Sequence, residues 1–246
     1  MSLAPSSTEP RIIVALDTPH RDLVTSLIQH LDPSLCRLKI GKELFTACGP
    51  ALIGQLRQRG FDIFLDLKFH DIPNTCAAAV REAARLGVWM VNVHASGGSE
   101  MMRASREALA EFENPPLLIA VTVLTSFSEE AFGELGFGPS IADVTKRLAG
   151  LAMAAELDGV VCSVHEVAGL KAAYGDSCLT ITPGIRPVAA PDQPVQSKPD
   201  DQKRVASPEE ARAAGSDYLV IGRPITQARD PGAVLRAIHA SLPAAK

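Results

Sequence analysis

The chain is 246 residues long, 46% hydrophobic and 21% charged, with a net charge of −4 at neutral pH. Such a length supplies one large core of the size an α/β barrel needs, and the mildly acidic balance argues against a nucleic-acid or anionic-membrane partner. The longest apolar runs fall far short of a bilayer span.

Residues 1–10 (MSLAPSSTEP) carry neither a basic n-region nor an apolar h-region. They read as a disordered tail ahead of a single domain over 11–246, not as a signal peptide. Residues 11–16 (RIIVAL) form a short buried strand that ends at Asp17. Thr18 is the expected N-cap, and Pro19 the first turn, of a helix reaching about Leu31. Residues 36–40 (CRLKI) are the second strand, with Lys39 near its end and Gly41 after it. A helix over 50–59 stops at Gly60, a residue suited to a C-cap.

The third strand is the most informative. Ile63, Leu65 and Leu67 point one way, and Phe64, Asp66 and Lys68 the other. A carboxylate and an ammonium therefore leave one face of the strand at its C-terminal end. Asp71 follows as the chain turns, Pro73 and Asn74 break the strand, and Thr75 opens an Ala-rich helix to Leu86. Strand four (89–94, WMVNVH) ends at His94 and is followed by a helix to Phe112. Strand five (117–124) ends at Thr125 and Ser126, and a Gly-rich insert over 132–139 precedes a helix over 140–157. Strand six (159–162), a helix (166–174), strand seven (179–182), a long loop to about Val205, a short helix (208–214), strand eight (218–221) and a last helix (231–242) complete the chain.

Eight strands alternating with eight helical runs imply parallel pairing and a single (β/α)8 TIM barrel of the α/β class. A doubly wound sheet would want a Gly-rich phosphate turn after the first strand, and Leu16-Asp17-Thr18-Pro19 is no such turn. The five cysteines (36, 48, 76, 162 and 178) are scattered and odd in number, with no C-x-x-C pair. They read as reduced thiols in a cytoplasmic protein, not as a disulfide frame or a zinc site.

In such a barrel the active site is built at the C-terminal ends of the strands. Those ends carry Asp17, Lys39, Asp66, Lys68, His94, Thr125, Ser126, Arg186, Gly222 and Arg223. Turn preferences explain Thr, Ser and Gly there, but not two lysines and two aspartates. Unit charges about 4 Å apart interact by roughly 4 kcal/mol at an effective dielectric of 20. Lys68 between Asp66 and Asp71 is thus expected to stay protonated and to serve as a proton donor, with Lys39 balancing the second carboxylate. A Schiff-base lysine would need the opposite environment.

Gly184 and Arg186 follow strand seven, and Gly222-Arg223-Pro224 follows strand eight, where barrels of this class hold phosphate. The loop from Arg186 to Arg204, rich in Pro, Asp and Gln, reads as a lid over that site. His94 reads as a hydrogen-bonded structural residue. No H-x-H or carboxylate cluster suggests a metal.

The run Asp66 to Thr75 (DLKFHDIPNT) resembles the signature of the orotidine 5′-phosphate decarboxylase family, bacterial type. So do Ala15-Leu16-Asp17, Leu38-Lys39-Ile40-Gly41, Val123-Leu124-Thr125-Ser126, Thr182-Pro183-Gly184-Ile185-Arg186 and Val220 to Thr226 (VIGRPIT). The resemblance implies a metal-free, cofactor-free barrel that converts orotidine 5′-phosphate to UMP and carbon dioxide, as a homodimer with shared sites. It makes Lys68 the acid that protonates C6, within an array of Lys39, Asp66, Lys68 and Asp71. Asp71, Ile72 and Thr75 would come from the partner subunit. Asp17 and Lys39 would bind ribose, and Thr125 or Ser126 the pyrimidine, with Pro183 also against the substrate. Gly222, Arg223 and a lid glutamine would hold the phosphate, with Arg186 nearby. In the family's bacterial members the glutamine lies in an Asp-Gln-basic-basic run, here 201–204, which favours Gln202 over Gln193 and Gln196, although the spacing from Arg186 is longer than usual.

Two other readings compete. A related phosphosugar barrel, of the hexulose-phosphate synthase or ketogulonate-phosphate decarboxylase type, would share Asp-x-Lys-x-x-Asp but bind magnesium through added carboxylates. The full FHDIPNT run, and Glu43 lying beyond Gly41, argue against it. A non-catalytic nucleotide-binding barrel is disfavoured by retention of both lysines and both aspartates.

Overall fold

Eight short β-branched and apolar segments close into one all-parallel barrel, in the order β1 to β8, in a computed structural model that describes residues 9–138, 140–187 and 204–242. The strands are β1 (Ile12–Leu16), β2 (Cys36–Gly41), β3 (Ile63–Phe69), β4 (Met90–His94), β5 (Leu117–Val121), β6 (Gly159–Val161), β7 (Leu179–Thr182) and β8 (Tyr218–Ile221). The helices are α1 (Arg21–Ile28), α2 (Lys42–Cys48), α3 (Ala51–Gln58), α4 (Pro73–Arg85), α5 (Gly98–Glu107), α6 (Glu129–Gly133), α7 (Ile141–Ala154), α8 (Val164–Tyr174), α9 (Pro208–Ala213), α10 (Arg223–Thr226) and α11 (Pro231–Ser241). Among the described residues, no helix is long and apolar enough to cross a membrane. The five cysteines are all unpaired thiols.

Several local expectations are corrected. Thr18 does not cap α1. Its hydroxyl accepts the His20 N–H at 3.3 Å, and the helix starts only at Arg21. Two helices were not anticipated. In α2, Gly41 supplies the N-cap and Gly49, at φ +68°, ends the run. In α6, which runs into the Gly-rich insert, Ser128 accepts the Ala131 N–H at 3.3 Å. Strand β5 stops at Val121 rather than Leu124, and α5 stops at Glu107 rather than Phe112. Helix α8 begins at Val164, earlier than its apolar pattern suggests, because Ser163 and Glu166 form a reciprocal capping box there.

Strand periodicity sorts the core into two layers. Ile12, Val14, Leu38, Ile40, Val91 and Val93 face outward and pack under the helices. Ile13, Ala15, Phe64, Met90, Ile119, Ile181, Tyr218 and Val220 face inward and fill the barrel. The end of the barrel at the strand N-termini is closed by Arg37, only 4% exposed. Its guanidinium lies over the Trp89 ring at 4.1 Å and near the Tyr218 ring at 5.4 Å. It also bonds Asp62 at 3.1 Å, Glu9 at 3.4 Å and the Pro10 carbonyl, which fastens the start of the described chain across that end.

Candidate active site

The inward register that buries Ala15, Phe64 and Met90 carries the next inward positions, Asp17, Lys39, Asp66 and Asn92, to the opposite end. There the charged side chains form a chain of contacts. Lys39 Nζ lies 3.1 Å from Asp17 Oδ1 and 3.2 Å from Asp66 Oδ2. Lys68 Nζ lies 2.6 Å from Asp66 Oδ1. Asp66 and Lys39 are buried, at 7% and 8% exposure, so each carries a desolvation cost that only its partners offset. Burial by itself would raise the Asp66 carboxyl, but the lysine charges beside it outweigh that and hold it below the usual carboxylate range. Burial would lower the Lys39 ammonium, and Asp66 and Asp17 hold it above its ordinary value instead. Both groups are therefore charged near neutral pH.

Regular pairing of β3 fails at this point. Leu65 pairs with Val91, yet the next partner of Val93 is Phe69. Three residues, Asp66 to Lys68, thus stand opposite Asn92 in a bulge. Lys68 takes φ +53°, the left-handed region that non-glycine residues enter rarely. Its N–H donates to Asn92 Oδ1 at 2.8 Å, while Asn92 Nδ2 donates to Asp66 Oδ1 at 2.7 Å. Simple alternation correctly anticipates the side on which Asp66 and Lys68 emerge, but not the bulge or Asn92. The available signal was a polar residue on the inward register of an otherwise apolar strand.

Asp17, Lys39, Asp66 and Lys68 line one wall of a cavity of about 240 Å³. Thr125 and Ser126, after β5, line a second wall, and Pro183, Gly184, Arg186, Gly222 and Arg223 a third. Ten candidate residues thus share one chamber: Asp17, Lys39, Asp66, Lys68, Thr125, Ser126, Pro183, Arg186, Gly222 and Arg223. Gly222 opens α10, where a Cβ would stand at ordinary contact distance, 3.5 Å, from both Ala15 Cβ and Asp17 Oδ2. The chain leaving β7 and the chain returning to α9 are tied together. Arg186 N–H donates to the Ala206 carbonyl at 2.9 Å, and Ala206 N–H to the Gly184 carbonyl at 3.2 Å. The expected lid between them, with Gln193, Gln196 and Gln202, lies outside the described residues apart from its two ends.

Asp71, Ile72 and Thr75 are not on the chamber wall. They sit on the exposed turn into α4, with Ile72 67% exposed. The Asp71 carboxylate accepts the Ile72 N–H at 2.7 Å, so the expected position of Lys68 between two aspartates is replaced, within one chain, by a pair with Asp66. The turn is held from inside by Cys76, whose sulfur accepts the Asp71 N–H at 3.1 Å. His94 also departs from expectation. Among the described residues its ring makes no hydrogen bond and instead meets the His70 ring, with centroids 5.4 Å apart. Burial, with the His70, Lys68 and Lys42 charges, pushes its pKa down to about 4. Glu43 is exposed on α2.

A family model described as "Orotidine 5'-phosphate decarboxylase / HUMPS family" matches residues 10–238. Curated proteins named orotidine 5′-phosphate decarboxylase are similar over nearly the whole chain. That of Saccharophagus degradans is 56% identical, with 95% of each chain covered. That of Dichelobacter nodosus is 58% identical, covering 94% of this chain and 98% of its own. That of Escherichia coli is 54% identical, covering 96% and 94%. Among solved structures, an orotidine 5′-phosphate decarboxylase from Lactobacillus acidophilus superposes with a TM-score of 0.80 at 37% identity, covering 94% of this chain and 98% of its own. An uncharacterized conserved protein from Geobacillus kaustophilus gives the same TM-score, 0.80, and identity, 37%, covering 94% and 100%.

Proposed function

This chain belongs to the orotidine 5′-phosphate decarboxylase / HUMPS family, and from that premise we propose that it converts orotidine 5′-phosphate to UMP and carbon dioxide, a step of pyrimidine biosynthesis. The observation that carries the reading is the run of alternating charges, Asp17, Lys39, Asp66 and Lys68, on one wall of the chamber, with Lys39 and Asp66 at its buried centre.

In this reading the C6–carboxylate bond breaks and its electron pair stays on C6, in an orbital outside the ring π system. An ordinary electron sink does not help there. An ammonium fixed beside C6 stabilises the developing charge and then donates its proton. Lys68 is that acid. Asp66 and Lys39 are held in place by mutual pairing, so little reorganisation is needed when charge develops. Asp17 and Lys39 bind ribose hydroxyls, and Thr125 and Ser126 meet the pyrimidine ring, with Pro183 behind it. Gly222 and Arg223 hold the phosphate, with Arg186 and a lid glutamine, Gln202, beside them. Binding energy from phosphate and ribose is thereby used at the reacting carbon.

The exposed turn carrying Asp71, Ile72 and Thr75 supports a twofold dimer in which each subunit completes its partner's array. An apolar side chain as exposed as Ile72, next to the Asp71 carboxyl, suits a surface covered by a second copy. No metal or cofactor takes part in this reading. The test is the loss of orotidine 5′-phosphate absorbance with purified protein, with and without EDTA. Turnover unaffected by EDTA is expected, and absence of turnover on this substrate would overturn the reading.

A further inference from the structure

Asn92 is fully buried on the inward face of β4, directly opposite the bulge that contains Asp66 and Lys68. The bulge turns the Lys68 N–H away from ladder pairing, and a buried N–H needs an acceptor. The Asn92 carbonyl oxygen supplies it at 2.8 Å. The amide nitrogen of the same side chain donates to Asp66 Oδ1 at 2.7 Å, the oxygen that also accepts from Lys68 Nζ at 2.6 Å. The amide orientation is fixed by its partners, because a peptide N–H only donates and an ionised carboxylate only accepts. A side chain with a donor atom and a separate acceptor atom at this spacing is therefore required; ionised Asp lacks the donor, Leu lacks both, and Ser has one hydroxyl in place of two separate atoms.

We propose that Asn92 is a positioning residue of the site: one arm of its amide holds Lys68 in the left-handed conformation, the other fixes the Asp66 carboxylate, and together they aim the Lys68 ammonium into the chamber. The catalytic consequence rests on the function proposed above, in which Lys68 must meet one substrate atom. A residue that merely fills the bulge would affect stability alone. A positioning residue controls a distance to the reacting centre, and a displacement of about 1 Å can cost roughly a hundredfold in rate.

Two substitutions that keep the branched shape of the side chain separate these roles. Asn92→Leu removes both arms. Asn92→Asp keeps an acceptor for Lys68 but sets a second carboxylate against Asp66. In Asn92→Leu, kcat should fall by about a hundredfold while KM and UMP affinity change little. The acid limb of the kcat profile should move upward in pH, since Asp66 loses a donor to its charged form. The charged and titratable groups around Asp66 are Lys39 from β2, Lys68 on its own strand, Asp17 beyond Lys39 and His94 at the end of β4, and all are unchanged in the variant. In Asn92→Asp, activity should rise as pH falls, opposite to wild type, because the introduced carboxyl can donate to Asp66 only when protonated.

Wild-type kcat and acid limb in a folded Asn92→Leu, or a loss confined to KM, overturns the proposal. Should that variant fail to fold, a pH profile of Asn92→Asp parallel to wild type overturns it instead. Crystal structures of wild type and the variants provide an arm independent of activity. Lys68 should leave its positive φ, and its 2.6 Å contact with Asp66 should lengthen, when Asn92 is replaced. Retention of both overturns the proposal. A wild-type protein with no decarboxylase activity would sink the proposed function, while this structural arm would still judge Asn92.

Discussion

Lys68 and Asp66 are separated by one residue on the same strand, and their charged ends meet at 2.6 Å. Side chains two apart on a regular strand share a face but stand well apart at their roots. Here the bulge and the left-handed backbone at Lys68 let the ammonium reach back to the carboxylate. The pair is thus a product of backbone irregularity, and it is held within a charge network whose centre, Lys39 and Asp66, is buried.

Lys68→Ala removes the proposed proton source at C6. Turnover of orotidine 5′-phosphate should be lost almost completely while circular dichroism and the melting transition stay those of a folded barrel. A variant with near wild-type turnover would remove Lys68 from the mechanism.

Arg223→Ala removes a charge-assisted hydrogen bond to phosphate. Binding of UMP, measured calorimetrically, should weaken by roughly 1.5–3 kcal/mol, whereas uridine affinity should barely change. An equal loss for both ligands would place Arg223 away from the phosphate.

Shared sites make a quantitative prediction for mixed subunits. Lys68→Ala and Asp71→Asn proteins should each be inactive. After random exchange at equal ratio, about a quarter of wild-type activity should return, since half the dimers are mixed and each has one intact site of two. If Asp71 serves its own subunit, no activity returns even when a tagged subunit shows that exchange has occurred.

His94 gives a stability prediction with a defined sign. Its ordinary value is 6.5 and its folded value about 4, so between those limits the unfolded chain takes up a proton that the folded chain refuses. A depressed folded pKa means stability present above pH 6.5 and lost as pH falls toward 4. The wild-type melting temperature should therefore drop more steeply over that interval than that of His94→Gln. Parallel curves would show that His94 titrates normally.

The fold was legible because period-two apolar runs alternate with helical ones, and eight repetitions leave few arrangements. The polar strand ends followed directly from that topology, which brings Asp17, Lys39, Asp66 and Lys68 to one chamber wall from three different strands. What stayed hidden depended on contacts between distant residues. Asn92 lies within an apolar strand, and its role exists only because a bulge on the neighbouring strand faces it. Helix α6 was obscured by surrounding glycines and is held by its Ser128 cap. The position of Asp71 relative to Lys68 could not be read by adjacency, because the turn at Ile72-Pro73 sends the carboxylate outward. Gln193, Gln196 and Gln202 fall outside the described residues, so spacing remains the basis for choosing among them.

Arg37, clasped by Trp89, Tyr218, Asp62 and the Glu9–Pro10 segment, makes the barrel, among the described residues, a vessel stoppered at one end. Inward-facing Phe64, Met90, Ile119 and Ile181 fill the space above that stopper, so nothing traverses the axis. For a reaction that splits one molecule into two, both fragments must depart through the doorway that admitted their parent. In the function proposed above, carbon dioxide and UMP would therefore both leave by the end of the barrel that carries Arg186 and Arg223.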